Sequence, residues 1–485
     1  MASTFPARLG TPEQCRTLRE FLTGARFTEA ALLASFGVPE LNSLLTADAE
    51  ERARLRQRIE SGGAQMLLAK LFLGGFRLSW QEASRYIPGS IFEILKALGL
   101  YDESGRCPVL FYPAYGFWIA SDRPLSSDGS GYGGPDFVMS ALEYLSRTYV
   151  ESIGRAPCGR FLEVGAGAGL GALCATRFAE EIWATDITQR SIECMEFNRG
   201  LNGVSEEKLR LARGDMYAPV AGLTFDRIAC NPPFEPPLRH DLIYSVGGAD
   251  GEQLIERAVR EGVPLLAPGG RLYCQVLGTD RPGDAFVERM ERWLEVSASG
   301  IAYFVRARLS TDGYTAGQLM NTGADRSVIE QWDRFYGRMR ATHVTTGHLI
   351  IECGAGFRVV ETLGGATGLD DMERRIEWDD AYRRDGWHER LLDGVWATAD
   401  TCSLHVYRTL RDGEVERELA CRAPFDGSWP APETVNDILA SAATPATGRD
   451  IVERVKAGAA AHEEEILNSM AMCIARGALR EGATA

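Results

Sequence analysis

A chain of 485 residues exceeds one usual domain, so two or three folded units are expected. Hydrophobic residues make up 45% of it, an ordinary globular share that supplies sizeable cores. The formal net charge is −15, from 67 acidic against 52 basic residues, which disfavours an unaided grip on a phosphate backbone and favours cationic or neutral partners.

The 11 cysteines include no Cys-x-x-Cys pair, and none stands at finger-like spacing from one of the six histidines. They are expected to be reduced, mostly buried small hydrophobes, with no metal site. No charged-then-apolar start reads as a signal peptide, and no run approaches the roughly 18 apolar residues that span a bilayer. A soluble cytoplasmic protein without a membrane partner is the expectation.

In chain order, helical periodicity runs through residues 11–60, with Leu18, Phe21 and Leu22 and then Ala30 to Leu33, broken at Gly37-Val38-Pro39. Gln65 to Leu73 predicts an apolar helix stopped by Gly74-Gly75. Ser79 reads as the N-cap of a helix over 80–86, and Ser90 as the cap of Ile91 to Leu98, with Gly99 closing it. Val109 to Tyr112 and Gly116 to Ala120 predict a hairpin around Pro113-Ala114-Tyr115. Three helices and a hairpin resemble a winged helix. Such modules often bind nucleic acid, but Glu82 with Arg85 and Glu93 with Lys96 leave neither candidate helix a basic face. An accessory role in substrate recognition or in a homodimer contact is expected instead.

Residues 121–135, rich in Ser, Gly, Asp and Pro, predict a linker or lid, and Tyr132 to Asp136 is expected to open a helix through Tyr149. Then Phe161 to Gly171 reads Phe-Leu-Glu-Val-Gly-Ala-Gly-Ala-Gly-Leu-Gly. A buried strand ends in an acid, breaks into alternating glycines and feeds a helix start, whose free N–H groups face a ligand. Three more strand-like runs follow, each with a polar group at its C-terminal end. Glu181 to Asp186 ends in a carboxylate, Lys208 to Asp215 ends in Gly214-Asp215, and Phe225 to Cys230 ends in Asn231-Pro232-Pro233-Phe234. Parallel strands of a doubly wound sheet deliver such groups to one crevice, and an acid roughly 20 residues past the glycines suits vicinal ribose hydroxyls.

An acid before the first glycine would repel a pyrophosphate but suits a ligand with an amine and a sulfonium. The pattern resembles motif I of the class I S-adenosylmethionine (SAM) methyltransferases. Asn231 to Phe234 resembles motif IV of those that methylate planar nitrogens. With Gly247 to Gly251 and Leu265 to Leu272, residues 130–280 are most similar to the release-factor glutamine methyltransferases. The resemblance implies an α/β fold. A Rossmann-like, seven-stranded core would carry a winged-helix-like N-terminal domain and an α+β C-terminal domain, divided as 1–125, 126–369 and 370–485.

It implies SAM as cofactor and S-adenosylhomocysteine as product. Glu163 would face the donor amine, with Gly165, Ala166, Gly167 and Gly169 as the turn. Asp186 and Ile187 would flank the ribose, and Asp215 and Met216 the adenine, although Gly-Asp also caps turns. Asn231 and the Pro232 carbonyl would accept hydrogen bonds from an acceptor NH₂, and Phe234 would offer a flat face. Tyr132 and Glu235 are further candidate substrate contacts. The acidic balance and Glu235 favour the guanidino group of a small amino-acid-like acceptor, with a protein glutamine or a nucleic-acid base as alternatives.

Beyond Gly278, Ala285 to Leu294 predicts a helix, Gly300 to Arg306 and His348 to Glu352 predict strands, and Ala316 to Met339 predicts an inserted helical stretch. Ser403 to Leu410 and Glu414 to Cys421 flank Arg411-Asp412-Gly413 as a hairpin. Helices are expected after Pro432, over 450–457 and over 462–475.

Overall fold

The computed structural model describes residues 4–46, 63–124, 131–234, 243, 245–294, 299–322, 326–364, 367–382, 386–408, 415–458 and 461–482. Two compact units emerge: Met1–Val276 with Ala324–Phe335, and Leu277–Gly323 with Tyr336–Ala485. Neither division falls at 125 or at 369.

In the first unit, Thr11 and Gln14 form a reciprocal capping box at the start of the helix Pro12–Gly24. Ser79 and Glu82 do the same for the short helix Trp80–Ala83. Ser90 is not a cap. The helix Gly89–Ala97 already begins before it, with Pro88 at the N-cap and no side-chain cap bond, because the fixed proline backbone sets the turn. Strands β1 (Val109–Ala114) and β2 (Phe117–Asp122) pair antiparallel. Their turn lies at Tyr115 and Gly116, both at positive φ (51° and 80°), one residue later than the sequence suggests. Two positive-φ residues match the twist of a tight hairpin.

Five strands carry the site: β3 (Cys158–Val164), β4 (Ala179–Asp186), β5 (Leu209–Arg213), β6 (Phe225–Cys230) and β7 (Leu266–Asp280). Their order is β7-β6-β3-β4-β5, with the paired strands parallel. Chain direction across the sheet reverses at β3, so the ends of β3 and β6 stand side by side at a switch point, where such sheets bind ligands. The C-terminal halves of β3 and β6 are buried, as inner strands covered on both faces must be.

One buried core runs from Phe5 through the N-terminal helices and the hairpin to Phe161, Ile182 and Leu209. The N-terminal region therefore shares its interior with the glycine-turn sheet. Phe27, Phe72 and Phe111 anchor it, with ring centroids 4.8 to 6.3 Å apart.

In the second unit, β8 (Ser299–Ser310) pairs antiparallel with β9 (His343–Cys353) and parallel with β10 (Arg358–Thr362). Further on, β11 (Val395–Thr398), β12 (Cys402–Arg408), β13 (Val415–Cys421), β14 (Gly427–Pro430), β15 (Ala446–Thr447) and β16 (Leu479–Glu481) form two small sheets. Three helices, Thr434–Ser441, Gly448–Gly458 and Glu463–Ala475, pack with Trp378 and Trp396 in a second core. The expected hairpin strands form, while Arg411-Asp412-Gly413 lies outside the described residues. Among the described residues, no helix is long and apolar enough to cross a membrane, and no cluster of His, Cys, Asp and Glu could hold a metal ion.

The shared core makes a prediction. Phe72→Ala should cost about 3–5 kcal/mol, and urea unfolding should show the sheet and the N-terminal helices melting together. A loss confined to the helical signal, with the sheet intact, would contradict a single interior.

Candidate functional site

The ends of β3, β4, β5 and β6 open on one cavity of about 450 Å³, within the range of small-molecule sites. It is lined by Glu163, Gly165, Ala166, Gly167, Asp186, Ile187, Asp215, Met216, Asn231, Pro232 and Phe234 together. Two sequence-predicted residues are not part of that lining. Gly169 lies at the N-cap of the helix Leu170–Ala175, where a Cβ would stand 2.9 Å from Met195 Cγ. Tyr132 is not among the lining residues. Its hydroxyl bonds Asp136, and its ring lies 3.6 Å under the Arg190 guanidinium. Glu235 lies outside the described residues.

The turn after β3 is built to leave space. Gly165 and Gly167 have φ of 66° and 55°, and a Cβ on either would meet no protein atom within 4 Å. The glycines satisfy a left-handed backbone and keep the cavity floor bare. The Asp186 carboxylate fixes the turn: Oδ2 accepts from Gly167 N–H at 3.0 Å and Oδ1 from Thr188 N–H at 2.9 Å. Burial pushes its carboxyl above the usual carboxylate range, and these two N–H groups pull the other way. Ile187, beside it, is 49% exposed, an apolar flank on an otherwise polar rim.

Glu163 is buried under the same turn. Its Oε2 accepts from Ala172 N–H at 2.6 Å, in the first turn of the following helix, and its Oε1 from the Tyr149 hydroxyl at 3.2 Å. Burial pushes the carboxyl up to about 7, with the Ala172 N–H and the Tyr149 hydroxyl acting against it. Tyr149 also lines the cavity, a role that no motif signals. It sits on the helix Tyr144–Glu151, whereas residues 131–143 lack the helix expected from Asp136. That segment extends along the cavity instead, presenting Phe137, Val138 and Met139. Asp215 is held by Arg257 at 3.0 Å, itself bonded to Glu261.

At the end of β6, Asn231 Oδ1 is buried and accepts no hydrogen bond from the described residues. Such an orphan acceptor is costly unless a ligand completes it. Gly247 packs directly on this loop, since a Cβ there would stand 2.7 Å from Phe234 Cα. Among the described lining residues, five carry carboxylates (Asp136, Glu143, Glu163, Asp186 and Asp215) and none carries a basic group.

Residues 137–295 match the methyltransferase small domain family. A ribosomal protein uL3 glutamine methyltransferase from Bradyrhizobium diazoefficiens is 30% identical over 167 residues, which are 30% of this chain and 50% of that protein. A release factor glutamine methyltransferase from Gloeobacter violaceus is 26% identical over 136 residues, 25% of this chain and 47% of that one. The chain spans about half the length of these curated relatives. A solved structure of a putative SAM-dependent methyltransferase from Streptococcus mutans has a TM-score of 0.32 at 13% identity, covering 56% of this chain and 66% of its own. The matched region is a class I SAM-dependent methyltransferase domain, close to the glutamine methyltransferases.

The residues present fit that donor. A bare glycine turn, a carboxylate beneath it and an acid-lined, base-free wall suit a ligand with an ammonium and a sulfonium. Gly167→Ala should therefore weaken donor binding by at least about tenfold, since its methyl group would stand in the cavity. Calorimetry measures the affinity, and a cooperative melt of the ligand-free variant, lowered by the left-handed strain of about 1–2 kcal/mol, would show the fold intact. Glu163 gives a pH prediction. Its folded value of about 7 lies above its ordinary 4.5. The empty protein therefore loses stability as pH rises through that interval, and the ionised carboxylate strengthens donor binding over about pH 6 to 8. Glu163→Gln should flatten both trends, and an unchanged slope would remove Glu163 from the account.

Proposed function

We propose that this domain transfers the SAM methyl group to the side-chain amide nitrogen of a glutamine in a protein. The observation that carries the reading is the buried, unpartnered Asn231 Oδ1 beside Pro232 and Phe234. An amide NH₂ has two hydrogens and a lone pair spread into its π-system. Asn231 Oδ1 and the Pro232 carbonyl, two acceptors at the end of one strand, take those hydrogens and fix the nitrogen. They also stabilise the positive charge that grows on it during transfer. The Phe234 ring offers its face to the flat group.

When bound, SAM supplies an electrophilic methyl carbon on a sulfonium. Glu163 would attract the donor's ammonium. Asp186 keeps lone pairs for ribose hydroxyls after accepting from Gly167 and Thr188, and Ile187 would cover the sugar. Asp215, steadied by Arg257, would take the adenine amine, with Met216 beside the ring. Transfer from a donor so held would leave the carbon–sulfur electron pair on sulfur and release the amide proton to solvent.

The relatives are named for glutamine acceptors in a ribosomal protein and in a release factor. Their names favour a protein amide over the small guanidino acceptor that composition suggests. The guanidino reading also leaned on Glu235, whose placement lies outside the described residues.

Labelled donor should mark a glutamine in a release factor or ribosomal protein and leave free arginine unlabelled. Asn231→Ala should lower that transfer by about 10²-fold or more while calorimetry finds donor binding within about twofold of native. Label on free amino acids alone would reverse the order of the two acceptors, and label on RNA alone would reject both.

A further inference from the structure

Strand β2 has one edge paired to β1, and its other edge is closed by a helix, Gln189–Leu201. Residues 190, 194, 198 and 202 stand four apart, so they form one stripe facing the strand. Asn202, just past the helix end, accepts from Trp118 N–H at 3.0 Å and donates to Trp118 C=O at 2.8 Å. Asn198 accepts from Ala120 N–H at 2.7 Å and donates to Ala120 C=O at 2.9 Å. Each side-chain amide thus imitates a neighbouring strand residue, which keeps the buried strand edge satisfied. Arg190 completes the stripe, binding both oxygens of the Asp122 carboxylate at 2.6 and 2.7 Å.

Two members of this stripe reach the cavity wall. The second amide hydrogen of Asn198 goes to the Ala168 carbonyl at 2.9 Å, inside the glycine turn. Asp122, held by Arg190, accepts from Val138 N–H at 2.9 Å and donates its own N–H to the Val138 carbonyl at 3.0 Å. Val138, like Ala168, lines the cavity. Among the described residues, the Asn202 side chain bonds only Trp118 and the Asn198 carbonyl, and neither lines the cavity. Asn198 itself is fully buried.

We propose that Asn198 is a positioning residue for donor binding, through which the N-terminal hairpin sets the placement of the glycine turn. The proposal rests on the reading of that turn as the donor cradle. Asn198 makes no contact with the donor. It holds Ala168 and Ala120 with one planar amide, so the turn cannot shift without breaking the strand edge. Arg190 and Asp122 hold the lining residue Val138 by the same logic. The N-terminal region is then part of the donor site, in addition to any role toward an acceptor.

The test pairs two variants that damage the same strand edge. Asn198→Ser and Asn202→Ser each remove the amide bridge to one residue of β2, and both should lower the melting temperature. Well below each melting point, Asn198→Ser should weaken S-adenosylhomocysteine binding by roughly tenfold or more. Asn202→Ser should leave it within about twofold of native. Equal affinities in the two variants, or a native value for Asn198→Ser, would overturn the proposal.

Hydrogen exchange in the native protein supplies a readout that does not depend on either variant folding. Added S-adenosylhomocysteine should slow the Ala120 amide, bonded to Asn198, more than the Trp118 amide, bonded to Asn202. Equal responses of the two amides would also overturn the proposal. Failure of the native protein to bind the ligand at all would instead reject the donor-site reading beneath it.

Discussion

The site depends on the carboxylate of Asp186. It closes two loops at once, accepting from Gly167 in the turn after β3 and from Thr188 at the start of the following helix. A second tie runs through the backbone, where Ala166 N–H donates to Thr185 C=O at 3.0 Å and Gly214 N–H to Asp186 C=O at 2.9 Å. The ends of β3, β4 and β5 are thereby stitched into one rim. Buried charge is costly without such donors. The rim is therefore held in one arrangement before any ligand arrives, and a site held in advance loses less ordering entropy on binding.

The rim does not end at the sheet. Glycine turns have little side-chain packing of their own, so the surroundings must supply rigidity. Here the supply comes from the helix Gln189–Leu201, which carries polar side chains on the face where most helices of an α/β layer carry aliphatic ones. Asn198 and Arg190 are both buried on it, and both are engaged by β2 and the residues beyond. The arrangement explains why residues 1–125 do not separate as a module. A hairpin docked by backbone hydrogen bonds and by a continuous apolar core has no cleavage plane.

Much of the sheet was legible in the sequence, because parallel inner strands read as apolar runs that stop at a ligand-facing polar residue. β3, β4 and β6 begin within three residues of their runs. Four cavity residues were legible for the same reason: Asp186 ends its strand, Gly165 and Asn231 directly follow theirs, and Gly167 comes two residues later. Side chains that reach the site from another layer were not. Tyr149 arrives from a helix outside the motifs, and its hydroxyl meets Glu163 only through tertiary packing. Tyr132, a candidate from the segment that opens toward the following helix, is not among the lining residues, and its ring is engaged instead by the buried Arg190 as a cation–π partner. The two asparagines at 198 and 202 carried no signal, since spacing of four on a helix says nothing about whether the facing partner is another helix or a strand edge.

The charge of the cavity also bears on the choice of acceptor. Counted from sequence, its acids argue for a cation such as guanidinium. Counted by protonation and pairing, they do not. Glu163 is pushed up to about 7 by burial, so near neutrality it is only partly ionised. Asp186 spends a lone pair of each oxygen on backbone N–H groups, and Asp215 is neutralised by Arg257. Of the other two lining acids, Asp136 accepts from the Tyr132 hydroxyl, and burial pushes the Glu143 carboxyl up. Asn231, Pro232 and Phe234 present acceptor oxygens, an orphan among them, and an aromatic face, with no carboxylate among the three. A guanidinium brought there would have to shed a proton from a group that is charged at any physiological pH, without a described base beside it. A neutral amide brings the two hydrogens that those oxygens lack and no charge to dispose of beforehand, which supports the proposed glutamine acceptor over the cation that the overall composition suggests.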